Sequence, residues 1–176
     1  MTRLRTVDGA GALALRGPLV ETYTAVFCAP PWNESPDRAA RFADLLVDWV
    51  HQPGFRLVLA GDDDAPAGFA LGLSTPEPFP STRAYGQVRR LLGPAVETLC
   101  GWLEVAELAV RPQARRAGLG RALLATLVGD RPAWLLTVPT VAGTTAFYDT
   151  AGWSRRATGY GITVYTNRPL TDAGQG

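Results

Sequence analysis

One stretch constrains the fold of this chain more than any other. It runs Glu104-Val-Ala-Glu-Leu-Ala-Val-Arg-Pro-Gln-Ala-Arg-Arg-Ala-Gly-Leu-Gly120 and continues as an apolar-periodic segment to Val128. Trp102–Val110 reads as a long strand. Gly118–Val128 reads as an amphipathic helix with Leu119, Leu123, Leu124 and Leu127 facing inward. A short basic loop with two close glycines joins them. Glycine lets backbone approach a ligand closely. A helix N-terminus offers N–H groups without intrahelical partners and a partial positive charge. Together these features make an anion site suited to a phosphate or pyrophosphate, with Arg115 and Arg116 adding charge at its mouth. Taken alone, two glycines fit equally well a helix start that binds nothing.

Several phosphate and nucleophile chemistries are excluded by what the chain lacks. Gly118-Leu-Gly120-Arg-Ala-Leu123 has leucine where a dinucleotide fingerprint needs its third glycine, and no acidic ribose partner follows at the right distance. All 17 basic residues are arginine. Without lysine there is no Walker A loop, no Schiff-base lysine and no kinase-type lysine. His51 is the one histidine, and Cys28 and Cys100 are the two cysteines, so no zinc-type cluster is present and no metal is expected. Gly72-Leu-Ser74 is followed by Thr-Pro, which rules out a nucleophile elbow. Acidic and basic residues nearly cancel at a net charge of +1, which argues against nucleic acid as a partner.

The rest of the chain reads as a single domain over 1–170 with a frayed tail at 171–176. Residues 3–8 alternate as a first strand. A helix opens at Gly17-Pro18 with Leu19, Tyr23, Val26 and Phe27 on one face, and Pro30-Pro31 ends it. A second helix starts at Ser35-Pro36, with Ser35 as its cap and Phe42, Leu45, Leu46 and Trp49 inward. Phe55–Ala60 and Gly68–Leu73 read as a hairpin around the polar turn Gly61-Asp-Asp-Asp-Ala-Pro66. Residues 74–100 are the least regular, with a short helix around 85–92. Trp134–Val138 is a buried strand, Thr144–Ala151 a short helix, and Trp153–Arg156 with Tyr160–Thr166 the closing strands. No apolar run is long enough for a secretory signal or a membrane span, and two distant cysteines make no disulfide scaffold. A cytoplasmic protein with no membrane partner is expected.

The wider spacing Val110-x-Pro112-x-x-Arg115-x-x-Gly118-x-Gly120 resembles the acyl-CoA signature of the GNAT superfamily of N-acyltransferases, (Arg/Gln)-x-x-Gly-x-(Gly/Ala) at a strand–helix junction. One strand later, Phe147-Tyr148-Asp149-Thr150-Ala151-Gly152-Trp153 is similar to that family's late helix-to-strand element. The resemblance covers residues 1–166 in element order and is motif-specific over 104–153. One position departs. Val141 stands where many relatives carry an asparagine that helps hold pantetheine.

The resemblance implies an α/β (α+β) GNAT fold: a central mixed, twisted sheet of six to seven strands with a splayed strand pair, flanked by helices. It implies acetyl-CoA as cosubstrate. Backbone of Leu108, Ala109 and Val110 would hold the thioester and pantetheine. The segment Arg115, Arg116, Ala117, Gly118, Leu119, Gly120 and Arg121 would surround the pyrophosphate. The reaction implied is direct attack of an amine, with the Leu108 N–H as oxyanion donor. Tyr148 would be the acid that protonates the leaving thiolate. Two carboxylates compete as base. Strand alternation puts Glu104 with Ala106, Leu108 and Val110 on one face and Glu107 on the other, and a bulge would shift that register and keep Glu107 in contention. Either glutamate also fits a structural ion pair with arginine. Trp32, Glu34 and Tyr85 are the candidate acceptor-binding residues. The acceptor expected is a small-molecule amine; a protein or peptide N-terminus, or acyl-CoA binding without catalysis, are the competing readings. Homodimers are common in the family.

Overall fold

A computed structural model describes residues 2–82 and 84–171, so most of the tail expected at 171–176 lies outside the described residues. Seven strands form a mixed sheet in the order β1-β2-β3-β4-β5-β7-β6, where β1 is Leu4–Val7, β2 Arg56–Gly61, β3 Pro66–Ser74, β4 Leu103–Val110, β5 Ala133–Thr137, β6 Ser154–Gly159 and β7 Ile162–Thr166. The chain divides into two compact units, one of residues up to Leu73 with Val105–Gly129, the other of Ser74–Glu104 with the chain from Asp130 onward.

In the first unit β1, β2 and β3 pair antiparallel, with Leu57 opposite Leu71 and Leu59 opposite Phe69. Strands β2 and β3 are apolar almost throughout because both their faces are covered. Leu57, Leu59, Phe69 and Leu71 point to helices α2 (Arg16–Phe27) and α3 (Pro36–Trp49), where Leu19, Tyr23, Phe27, Phe42 and Leu46 complete a buried cluster. Phe42 stacks on Tyr23 at 4.5 Å and on Phe69 at 5.7 Å. Val58, Ala60 and Ala70 alternate to the opposite side and are fully buried. There α5 (Leu119–Val128) packs on β2 through the leucine face read from the sequence.

A helix that the sequence reading left unassigned, α1 (Gly9–Ala14), precedes α2. Asp8 starts it, its Oδ1 accepting from the Gly11 N–H at 2.8 Å. Ser35 does occupy the cap position of α3, but its side chain makes no capping bond. Pro36 in the first turn, and the Ser35 carbonyl accepting from Arg38 N–H at 2.9 Å, open the helix instead.

In the second unit, residues 74–100 are more regular than expected, forming α4 (Ala84–Leu92) and a 3-10 helix at Gly93–Leu99. Strand β7 pairs antiparallel with both β5 and β6. Phe79, Val88, Val96, Leu99, Trp134, Ile162 and Val164 form its core. The short helix α6 (Thr144–Thr150) lies between β5 and β6 in sequence.

Candidate active site

The loop between β4 and α5 has the character of an anion cradle. Arg116 and Gly118 both adopt positive φ, at 66° and 77°, so the chain turns sharply twice within three residues. Gly118 is the N-cap of α5, where no side chain caps the helix, and a Cβ built on it would meet nothing within 4 Å. Arg116, Ala117 and Gly118 are exposed. First-turn N–H groups of an uncapped helix, open space above them and adjacent arginines fit the pyrophosphate expected there. Leu119 is buried, so its side chain is not available to a ligand at the helix start. Arg115 is turned toward the strand rather than outward, its Nε donating to the Val110 carbonyl at 3.1 Å. That bond ties the loop to the end of β4. Arg111 clamps the same end from the other side, donating to the Pro66 carbonyl at 2.8 Å and to Thr22 Oγ1 at 3.1 Å.

Strand β4 carries both candidate bases. Its parallel ladder with β5 consists of Leu103 opposite Ala133 and Glu104 opposite Trp134. Residues in register share a face of the sheet, so the Glu104 side chain lies beside the fully buried Trp134 indole. Its Oε2 accepts from the Tyr85 hydroxyl at 2.6 Å. Burial pushes the Glu104 carboxyl up to about 7, and the Tyr85 hydrogen bond pulls in the opposite direction. A desolvated carboxyl titrating there both takes and gives a proton at neutral pH.

Glu107 has a different setting, in the first unit. Ala106 and Ala109 both pack against the α2–α3 cluster although they are three residues apart, so strict alternation fails between them. Gly68 on β3 fits this irregularity, because a Cβ there would come within 2.5 Å of the Ala109 carbonyl oxygen. Ala109 is itself fully buried, backbone and side chain alike. The Glu107 charge acts on Tyr23 of α2. Burial, that charge and a hydrogen bond to Glu34 Oε2 at 2.9 Å together hold the Tyr23 phenol well above its usual range.

The expected acceptor residues are spread over both units. Glu34 follows α2 and sits 3.7 Å from Arg38 as well as on Tyr23. Trp32 packs edge-on against Phe27 at 5.3 Å. Tyr85 belongs with Glu104. Tyr148, on α6, is partly buried and lies in an aromatic cluster, 5.4 Å from the Tyr165 ring and 6.4 Å from Trp153. Tyr165 anchors that cluster, its hydroxyl donating to Asp149 Oδ1 at 3.0 Å. Cys100 donates to Glu97 Oε2 at 3.6 Å, and burial pushes its thiol up, the reverse of an activated nucleophile. Asp63 of the polar turn pairs with Arg5. Among the described residues, no group of three or more His, Cys, Asp and Glu could hold a metal ion, and no helix is long and apolar enough to cross a membrane.

Sequence reasoning missed Thr75 and Phe79 as neighbours of the Glu104 setting in the second unit and, separately, Tyr23 as a partner of Glu107 in the first. Phe79 and Thr75 sit in a proline-punctuated segment without periodicity. Tyr23 was read only as one member of a helix face. The register of Glu104 with Trp134 is invisible without the fold.

The fold has clear relatives among known proteins. The model of the acetyltransferase (GNAT) family matches residues 19–153. A GNAT-family protein from Desulfovibrio desulfuricans superposes with a TM-score of 0.62 at 23% identity, over 94% of this chain and 98% of the other. The PaiA N-acetyltransferase of Thermoplasma acidophilum, solved with coenzyme A, gives 0.60 at 11% identity over 96% and 99%. The ribosomal-protein-S18-alanine N-acetyltransferase of Escherichia coli gives 0.57 at 17% identity over 99% and 97%. These likenesses bear out the mixed, helix-flanked sheet. No curated protein matches the chain significantly.

Proposed function

This chain belongs to the acetyltransferase (GNAT) family, and from that premise we propose that it moves the acetyl group of acetyl-CoA to a primary amine of a small molecule by direct attack. The observation that carries this reading is Glu104: a carboxyl on β4, desolvated beside Trp134 and raised to about 7. A carboxylate in a salt bridge with arginine would be lowered instead.

Acetyl-CoA supplies an activated thioester, and this chain's residues do the rest. The N–H groups of Arg116, Ala117, Gly118, Gly120 and Arg121 hold the pyrophosphate. The Leu108 N–H donates to the thioester oxygen as negative charge develops on it; loss of one such donor in other systems costs about 2.7–4 kcal/mol. Glu104 takes a proton from the amine, whose nitrogen forms the new bond to the acetyl carbon. As the carbon–sulfur bond breaks, Tyr148 gives its phenolic proton to the sulfur. Both groups then return to their starting states by exchange with water. Glu107 is the alternative base, because its charge acts on Tyr23 and it stands where the strand alternation breaks.

The test is a calorimetric titration with acetyl-CoA, free CoA and propionyl-CoA, followed by thiol release over a panel of amines and of peptides with free N-termini. Micromolar acetyl-CoA binding with turnover of small amines is expected. Turnover of peptides alone would move the acceptor to a protein N-terminus. Binding without any turnover would make the chain an acyl-CoA-binding module. Among single variants, Glu104→Gln is expected to lose more turnover than Glu107→Gln.

A further inference from the structure

Tyr85 is bonded to the proposed base, and the second unit clamps its ring from two sides. The Phe79 ring meets it edge-on at 5.6 Å and 87°, and the Trp134 ring is tilted against it at 6.2 Å. Both clamping rings are themselves held. Trp134 Nε1 donates to Thr75 Oγ1 at 2.7 Å, and that hydroxyl donates on to the Trp102 carbonyl at 2.9 Å. One turn along α4 from Tyr85, Arg89 donates to the Phe79 carbonyl at 2.9 Å and lies over the Phe79 ring. A phenol ordered this thoroughly loses little rotamer freedom when it binds, so its short bond to Glu104 fixes the carboxyl at low entropic cost.

We propose that Tyr85 is a positioning residue for Glu104 rather than part of the acceptor pocket: it holds Oε2, sets the carboxyl rotamer and leaves Oε1 to take the proton of the amine. This rests on the reading of Glu104 as base. Oε2, already accepting from the phenol, is the poorer proton acceptor of the two oxygens. Among the described residues, the carboxyl meets the Tyr85 phenol from α4 and lies beside the Trp134 indole from β5, and Phe79 and Thr75 from the segment before α4 hold that indole. Of these only the phenol titrates. Arg89 spends its charge on Glu97, 2.9 Å away. Tyr85 therefore counteracts the desolvation of the base, as a donor to the ionised form must.

The decisive variant is Tyr85→Phe, which keeps the ring and deletes the donor. The Glu104 carboxyl is followed by carbon-13 NMR titration of the whole chain, its resonance identified by loss in Glu104→Gln. Its titration is expected to move up by about one pH unit in Tyr85→Phe. The acidic limb of kcat/KM is expected to move with it, while acetyl-CoA affinity stays at the wild-type value. Phe79→Leu, which loosens the clamp without removing the donor, is expected to shift the titration the same way by less. An unmoved titration in Tyr85→Phe, with Glu104→Gln inactive, overturns the positioning role and leaves the base standing. Wild-type turnover in Glu104→Gln overturns the base, and the positioning role falls with it.

Discussion

Glu104→Gln should make this protein more stable and less active at once, and the stability half can be worked from its surroundings. The carboxyl titrates at about 7 in the fold against an ordinary 4.5, with burial as the cause. The native state therefore binds the proton more tightly than the unfolded chain. Stability is intact below the unfolded value and is lost as pH rises through the folded one. Holding the carboxyl at about 7 rather than 4.5 corresponds to about 3 kcal/mol once the group is fully ionised. Glutamine is nearly isosteric, keeps an oxygen for the Tyr85 hydroxyl and carries no charge to desolvate. Urea unfolding followed by tryptophan fluorescence, at about pH 5 and about pH 8, measures both proteins; all other titrations cancel in the difference. The variant should match wild type at the acidic end and exceed it by about 2–3 kcal/mol at the basic end, about 5–10 °C in Tm. A variant that is destabilised, or whose difference from wild type does not change with pH, refutes the reasoning. Glu104 would then be a structural ion-pair carboxylate.

Two further outcomes follow from the site. Tyr148→Phe should lower kcat at least tenfold, the low end of what positioned acid–base groups contribute, with the acetyl-CoA KM nearly unchanged; steady-state kinetics with wild-type turnover would remove Tyr148 from the reaction. Gly118→Ala meets no steric obstacle but must hold φ near 77°, so it should cost about 1–2 kcal/mol in stability or bend the α5 start away from the pyrophosphate; calorimetry should show weaker acetyl-CoA binding, and an unchanged Kd together with an unchanged Tm would refute it.

Short-range chemistry made much of this protein legible in its sequence. The run from Glu104 to Val128 specifies strand, loop and helix because apolar spacing, two glycines and an uncapped helix start act within a few residues of one another. The leucine face of α5 and the uncapped, glycine-led start of that helix follow from that. Even the short helix α1 left a trace in Asp8, a capping residue too brief a signal to outweigh the two glycines behind it. Which glutamate could act as base did not follow, because alternation along β4 assumes a regular strand and Ala106 and Ala109 break it. Nor did the role of Tyr85. Its hydroxyl meets Glu104 across 19 residues of chain, and the clamp around it joins Thr75, Phe79 and Trp134. A carboxyl's proton affinity is set by what surrounds it in space. Local sequence supplied the groups, and only tertiary packing brought an indole and a phenol to the carboxyl proposed as the base, where burial raises its proton affinity.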